Sequence, residues 1–280
     1  MPELPEVQTI INTLNSSGLL NQSFSKVSVY KDKLIKNTTV KNFTNFLVGE
    51  TINNIERIGK YLVFHLTNKK ALIIHLRMEG KLFYEPIASN YPRTHLRIEF
   101  FLKNNRVLRY YDSRMFGTFH IFKEDEYLQS TIIKKLALDP LDEQFNFNYL
   151  KDALKHSTKA IKTALLDQTN VSGIGNIYAD EILFLSKIYP LTKSNTLTDT
   201  QIKNIVIYSK QVLLKAIKYG GTTVSSYKWD INHSGRYQDM LLVHTKKGCP
   251  CPVCKTKILK IKVNGRGTYF CPKCQKNGGN

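Results

Sequence analysis

The 280-residue sequence has no apolar run approaching the roughly 18 residues that a membrane-spanning helix needs. No basic segment followed by an apolar stretch opens it, so no secretory leader is expected and the protein reads as soluble and cytoplasmic. Cysteine is missing from most of the chain: all five cysteines fall between Cys249 and Cys274. A disulfide framework would spread its bridges over the fold, so the clustering points to a metal site instead. Acidic residues are scarce, with 22 Asp and Glu against 41 Lys and Arg and a formal net charge of +19. Residues 241–280 hold nine Lys or Arg and no Asp or Glu. A solvated face usually mixes charges of both signs. A tail of one sign suits a polyanion, and nucleic acid is the first candidate. Total charge alone would equally fit a generally lysine-rich composition; its position along the chain is what favours nucleic acid. No internal repeat is visible, and a monomer is expected.

The 42% hydrophobic content is enough for one sizeable core with small satellites. Val7, Ile10, Ile11 and Leu14 recur at helical spacing after Pro5, with Gly18 as a stop, which predicts an N-terminal helix preceded by residues 1–4. Short β-rich runs follow at 61–66, 71–76, 95–101, 107–111 and 118–122, separated by polar turns, and predict an antiparallel sandwich or barrel. Residues 133–145, with Asp139-Pro140-Leu141-Asp142, read as a linker. Helical periodicity then takes over: Phe147, Leu150 and Leu154; Ile161, Ala164 and Leu165; a third helix from Ile177 to Ile188; and a fourth opened by the capping box Thr198-Asp199-Thr200-Gln201 and stopped by Gly220-Gly221. Residues 222–244 are polar and read as a mobile loop. The expected organisation is α+β: a sandwich domain over residues 1–132 carrying the N-terminal helix, a linker over 133–145, a helical domain with its loop over 146–244, and a small metal module over 245–280.

Cys251-x2-Cys254 and Cys271-x2-Cys274 form two knuckles that suit four thiolates around one structural Zn²⁺. Residues 257–263 and 268–270 between them predict a hairpin with Gly265-Arg266-Gly267 at its tip. So small a module lacks a core of its own, so zinc should supply most of its folding free energy. Cys249, one residue from Cys251, fits a knuckle poorly and is read as a non-ligand, the swapped register being the alternative. The Gly173-Ile174-Gly175-Asn176 turn opens a helix whose N-terminus favours an anion such as a DNA phosphate, although such turns often merely join helices. Lys155, Lys159 and Lys162 are spaced to share one helical face. At the start of the chain, removal of Met1 would expose Pro2 as a secondary amine that condenses with aldehydes to a cationic iminium, with Glu3 beside it to move protons. Met-Pro-Glu alone would mean nothing; its company gives it weight.

That company includes Gly59-Lys60-Tyr61-Leu62, His75-Leu76-Arg77-Met78-Glu79-Gly80 and Asp112-Ser113-Arg114-Met115-Phe116-Gly117. With Met1-Pro2-Glu3-Leu4-Pro5-Glu6-Val7, the 173–179 turn, Gly265-Arg266-Gly267 and the four cysteines, the order from residue 1 to about Lys276 resembles the formamidopyrimidine-DNA glycosylase and endonuclease VIII family. Leu4 stands where the endonuclease VIII branch typically has Gly, which favours the formamidopyrimidine branch. The resemblance implies a β-sandwich, a helix-two-turn-helix domain and a zinc-finger hairpin. It implies a bifunctional glycosylase and lyase for oxidised purines, acting on double-stranded DNA with oxidised bases or abasic sites. Pro2 would be the nucleophile and Glu3 the proton relay. Lys60 would serve phosphate binding and β-elimination, and Arg266 phosphate binding and δ-elimination. Met78, Arg114 and Phe116 would fill the gap left by an extruded nucleotide, which offsets a few kcal/mol, roughly, of lost stacking and pairing. Lys159, Lys162 and Asn176 would contact phosphates, and the loop at 222–237 would close over the base. One departure is Pro92-Arg93-Thr94-His95, where relatives often carry Lys-His-Asp-His, so that Arg93 takes the place of a phosphate-binding histidine. Two rivals remain: an endonuclease VIII-like enzyme for oxidised pyrimidines, and a DNA-binding zinc protein without catalysis, which would have no need of Pro2.

Overall fold

The computed structural model describes residues 1–222 and 235–276, and its contacts divide the chain into two compact units. The first comprises Met1–Lys134 with Gly220–Gly235. It opens with helix α1 (Leu4–Ser16), whose start is set by a capping box between Glu3 and Glu6 and by proline in the first turn. Its buried face is Leu4, Val7, Ile10, Ile11 and Leu14, as the spacing predicts. Two four-stranded antiparallel sheets follow. One has the order β1 (Phe24–Val29), β6 (Leu96–Leu102), β7 (Arg106–Tyr111), β5 (Lys81–Pro86); the other has β2 (Ile52–Ile58), β3 (Tyr61–Leu66), β4 (Lys70–His75), β8 (Thr118–Lys123). Helix α2 (Val40–Leu47), capped by the Thr39 side chain, drops Phe43 and Leu47 into the same core. Phe43 meets Phe100 of one sheet and Phe119 of the other at ring distances of 6.4 Å each, so its ring bridges the two sheets.

The sandwich is therefore as expected, but β1, β2, β5 and α2 are not marked by the sequence pattern. Strand β2 reads Ile-Asn-Asn-Ile-Glu-Arg-Ile, and a bulge between Ile52 and Asn54 breaks the alternation that would have revealed it.

The second unit comprises Lys135–Tyr219 with Arg236–Asn280. Its helices are α3 (Phe147–Leu154), α4 (Ile161–Leu166), α5 (Asn176–Leu185) and α6 (Asp199–Lys218), and its strands β9 (Leu259–Val263) and β10 (Arg266–Phe270) form a two-stranded hairpin. The Thr198–Gln201 capping box forms as predicted. The single lysine face does not. Lys155 is the residue that ends α3, Lys159 lies between helices, and only Lys162 is within a helix, because the chain leaves the helical path before Ile161.

The expected linker is not free either. Leu138 donates its N–H to the Tyr149 hydroxyl and accepts from Ser172 N, and Ala137 N reaches Gln168 O, which straps this segment to the helices. Nor is the expected loop at 222–244 uniformly loose. Residues 223–234 lie outside the described residues, whereas Tyr237, Leu241, Val243 and His244 are buried. Among the described residues, no helix is long and apolar enough to cross a membrane.

Candidate active site and nucleic-acid interface

In the first unit, Pro2 and Glu3 are buried at the head of α1. Met1 acylates the Pro2 nitrogen, so the secondary amine exists only after Met1 is removed. Glu3 is fixed through its backbone, whose N–H donates to Glu6 Oε2 at 2.9 Å. The other Glu6 oxygen accepts from Thr222 N at 2.7 Å and from the Thr222 hydroxyl at 3.1 Å. One buried carboxylate thus ties the head of α1 to residues 220–222, which is why these residues belong with the sandwich and not with the helices. Gly221 is required beside it. Its φ is +75°, and a Cβ there would stand 2.6 Å from Glu6 Oε1.

Lys60 is buried in the β2–β3 turn, just after Gly59 at φ 58°. Near it, His75 accepts from Arg77 N at 2.9 Å and meets the edge of the Tyr61 ring. Burial, joined by the positive charges of Arg77 and Lys60, pushes His75 down to about 3, so the imidazole stays neutral at physiological pH. The sequence motif around His75 assigns it no role, because its place in an apolar strand carries no signal of one.

Asp112 organises the loop that follows β7. Its Oδ1 accepts from the N–H of Arg114 and Met115, and its Oδ2 from those of Phe116 and Gly117 and from the Tyr110 hydroxyl, all between 2.9 and 3.0 Å. Gly80 and Gly117 let the Tyr110 ring into the space where a Cβ of either would stand. Held this way, the loop turns Arg114 and Phe116 outward, with the guanidinium over the ring at 4.9 Å. Phe116 is 50% exposed and Met78 41%. Apolar side chains of this size normally seek the core, and here they are withheld from it. Arg93 is exposed, but its guanidinium is bound at 2.6 Å to Glu99, which is buried and also accepts from Arg109 and Tyr30. Burial alone would raise the Glu99 pKa; the Tyr30, Arg109 and Arg93 donors outweigh it and hold the carboxyl below its usual range.

In the second unit, the hairpin tip at Asn264 and Gly265 has positive φ angles, and Arg266 leaves it exposed to solvent. Arg266, Asn264, Lys159, Thr163, Leu166 and Asp167 line a cavity of about 250 Å³. Lys159 is exposed and lies 3.3 Å from Asp167. Lys162 corrects the expectation of a phosphate contact: it is 0% exposed, and its ammonium is 2.6 Å from Asp180. A lysine so enclosed has no surface to offer DNA. Asn176 is half-buried at the start of α5, and its side-chain N–H₂ donates to Gly267 O at 3.1 Å, so its amide serves the hairpin. Asp180 and Glu181 are buried organisers that no sequence motif singles out. Glu181 accepts the backbone N–H groups of Leu242, Val243 and His244.

The Sγ atoms of Cys251, Cys254, Cys271 and Cys274 all lie within 4.8 Å of one another, with Cys251–Cys274 at 3.8 Å and Cys254–Cys271 at 3.4 Å. Zn–S bonds of about 2.3 Å place tetrahedral sulfurs about 3.8 Å apart, so the four fit one zinc with no position left for substrate. Cys249 is exposed and outside the group, as expected. Gln275 supports the second knuckle by accepting from Cys271 N and donating to Ile188 O.

Three family models cover most of the chain: the formamidopyrimidine-DNA glycosylase N-terminal domain at residues 1–119, the formamidopyrimidine-DNA glycosylase H2TH domain at 136–228, and the zinc finger found in FPG and IleRS at 248–277. The formamidopyrimidine-DNA glycosylase of Ureaplasma parvum is 50% identical over 98% of this chain and 100% of its own length. A Lactococcus lactis FPG mutant solved with a Fapy-dG containing DNA superposes with a TM-score of 0.92 at 36% identity, covering 99% of this chain and 100% of that one. The wild-type Lactococcus lactis protein, solved with an oxidized pyrimidine containing DNA, gives 0.90 at 37% identity, covering 99% and 100%. With three models matched in order and a relative half identical along its full length, this chain belongs to the formamidopyrimidine-DNA glycosylase family.

Proposed function

We propose that this protein is a base-excision repair enzyme that removes oxidised purines, such as 8-oxoguanine and formamidopyrimidines, from double-stranded DNA and then cuts the strand at the abasic site. The observation that carries this reading is full-length family membership combined with Pro2-Glu3 at the head of α1. After loss of Met1, the Pro2 nitrogen attacks C1′, the base leaves, and the ring opens to an iminium. The iminium acidifies the C2′ proton. Its loss breaks the C3′–O bond and expels one phosphate; loss of the C4′ proton then breaks the C5′–O bond and expels the other. Glu3 relays protons, and Lys60 serves phosphate binding and the first elimination. Arg266 binds phosphate and serves the second. A solvent-exposed arginine on a hairpin tip suits such a contact.

Met78, Arg114 and Phe116 fill the stack vacated by the extruded nucleotide. The exposure of Met78 between β4 and β5, and of Arg114 and Phe116 on the loop pinned by Asp112, supports this role. Lys159 takes a phosphate, and Arg93 takes one only by leaving Glu99. The four cysteines hold a structural zinc that keeps the hairpin folded. We assign the protein to the cytoplasm as a monomer, working through a sandwich, a helical part and a finger.

A second reading, excision of oxidised pyrimidines, is favoured by the solved complex of the Lactococcus lactis relative with such a lesion. Duplexes with 8-oxoguanine or thymine glycol separate the two by their excision rates. Borohydride trapping tests the chemistry: the protein lacking Met1 yields a covalent adduct with 8-oxoguanine DNA, and Pro2→Gly impairs both adduct formation and base release. Unchanged base release by Pro2→Gly would reject the mechanism, and absence of any adduct would favour a binding protein without catalysis.

A further inference from the structure

Among the described residues, strand β10 has a strand partner on one side only, β9. The polar groups along its other edge need partners once helices cover them. Side chains supply these partners in place of a third strand. Lys162 Nζ, from α4, donates to Gly267 O at 3.2 Å and to the Thr268 hydroxyl at 2.9 Å. Asp180, from α5, accepts from Tyr269 N at 3.2 Å. The two are bound to each other at 2.6 Å, and neither side chain is exposed. The Thr268 hydroxyl in turn donates a hydrogen bond to Arg266 O at 3.2 Å, Asn176 adds a second donor to Gly267 O, and His244 Nδ1 lies 2.7 Å from the same Asp180 oxygen that meets Tyr269.

The pair thus imitates a strand edge, with a donor aimed at one carbonyl and an acceptor aimed at the N–H two residues on. A buried ion pair is a poor way to gain stability, because apolar replacements of similar volume are often neutral or stabilising. What it supplies that an apolar pair lacks is direction. It binds the carbonyl of Gly267 and the N–H of Tyr269 directly and, through the Thr268 hydroxyl, the carbonyl of Arg266, the residue whose guanidinium leaves the hairpin tip.

We propose that Asp180, acting with Lys162, is a positioning residue for Arg266: the ion pair sets the path of residues 266–269 and so aims the Arg266 guanidinium at its phosphate. The proposal rests on the reading of Arg266 as the group that serves the second elimination. Lys162 then acts through the hairpin backbone and touches no DNA.

The test uses the full-length zinc-loaded protein lacking Met1 and a duplex with one abasic site, with the products of the first and second eliminations separated on a gel. Asp180→Asn slows conversion of the first product to the second by about 10- to 100-fold, the scale of a misplaced catalytic group. Borohydride trapping and the first elimination stay close to wild type, with one zinc per chain. Asp180→Asn leaves the Lys162 ammonium without its carboxylate, so a second variant separates aim from stability. The double change Lys162→Met with Asp180→Leu is expected to melt at or near the wild-type temperature and still accumulate the first product. Normal second elimination in that stable double variant overturns the proposal. So does a parallel fall of every step with loss of zinc in both variants, which would mark the pair as structural cement only. Arg266→Ala is the reference. If it keeps the second product, the assignment of Arg266 fails and the proposal falls with it; if it loses that product while both pair variants keep it, the positioning role alone is wrong.

Discussion

The sandwich and the finger are held together by different physics. In the sandwich, Phe24, Phe43, Phe64, Phe100 and Phe119 are fully buried in one continuous cluster drawn from α1, α2 and both sheets. The finger has Val243, Ile258 and the buried cysteines Cys251 and Cys271 packed with Phe184, which α5 supplies. Its hairpin exposes Leu259 and carries Lys260 and Lys262 on β9. A cluster this small cannot offset the conformational entropy of ordering the module. Zinc held by the four sulfurs makes up the difference. The sandwich draws its stability from area and the finger from a few directed bonds, so the two should fail under different insults.

Zinc removal should separate them most. Structural zinc is worth about 10–16 kcal/mol of apparent binding free energy in small finger peptides. Chelation is therefore expected to abolish amide protection in β9 and β10 and weaken DNA binding, while the sandwich keeps its own melting transition. Persistent protection of the hairpin in zinc-free protein would break the comparison. A smaller effect comes from the other side. Phe100→Ala in the centre of the sandwich is expected to cost about 3–5 kcal/mol in a denaturant titration, with zinc content unchanged. If zinc stoichiometry fell as well, the two parts would not be energetically separate.

The smallest expected effect is set by pH and again falls on the sandwich. Burial pushes His75 down to about 3 and His120 to about 4, with nearby cations adding to both. Unfolded, each takes up a proton near its ordinary value of 6.5. Between that value and the depressed one, the unfolded chain binds protons that the folded chain refuses, so stability is full above the ordinary value and falls as pH drops. The slope is at most about 1.4 kcal/mol per histidine per pH unit. His65 behaves oppositely: the Glu56 carboxylate, against burial and with help from Glu124, raises it, so its contribution is complete below the ordinary value and lost as pH rises through the raised one. It therefore adds nothing to the slope on the acid side. Denaturant midpoints at pH 6.5 and 5.5, where the His65 contribution is already complete, measure this, and a midpoint that rises between them on acidification would contradict the assignment.

Part of the architecture is legible in the amino-acid sequence alone. The zinc ligands are two knuckles of near neighbours, α6 is opened by the Thr198–Gln201 box, and α1 follows from Pro5 and a four-residue apolar stripe. Each rule involved spans a few residues of chain. Where sequence and structure part, no such local rule applies. Lys162 looks like Lys159 in sequence, yet one is sealed against Asp180, 18 residues on, and the other is exposed. Arg93 stands in the sequence as a phosphate contact, but it is paired with Glu99 because Glu99 faces it from β6, where Arg109 of β7 already needs a carboxylate. Strand β2 is hidden by its bulge.

Residue identity and spacing along the chain settled which cysteines gather around a metal and where α1 and α6 begin, because those outcomes depend on neighbours a few positions away. The choice of partner for each buried charge belonged to the folded molecule: Glu6 with Thr222 across 216 residues, Lys162 with Asp180, Glu181 with the backbone N–H groups of Leu242, Val243 and His244. A charge taken out of water must be met by whatever dipole or opposite charge the packing brings within about 3 Å, and only the assembled core decides which group that is.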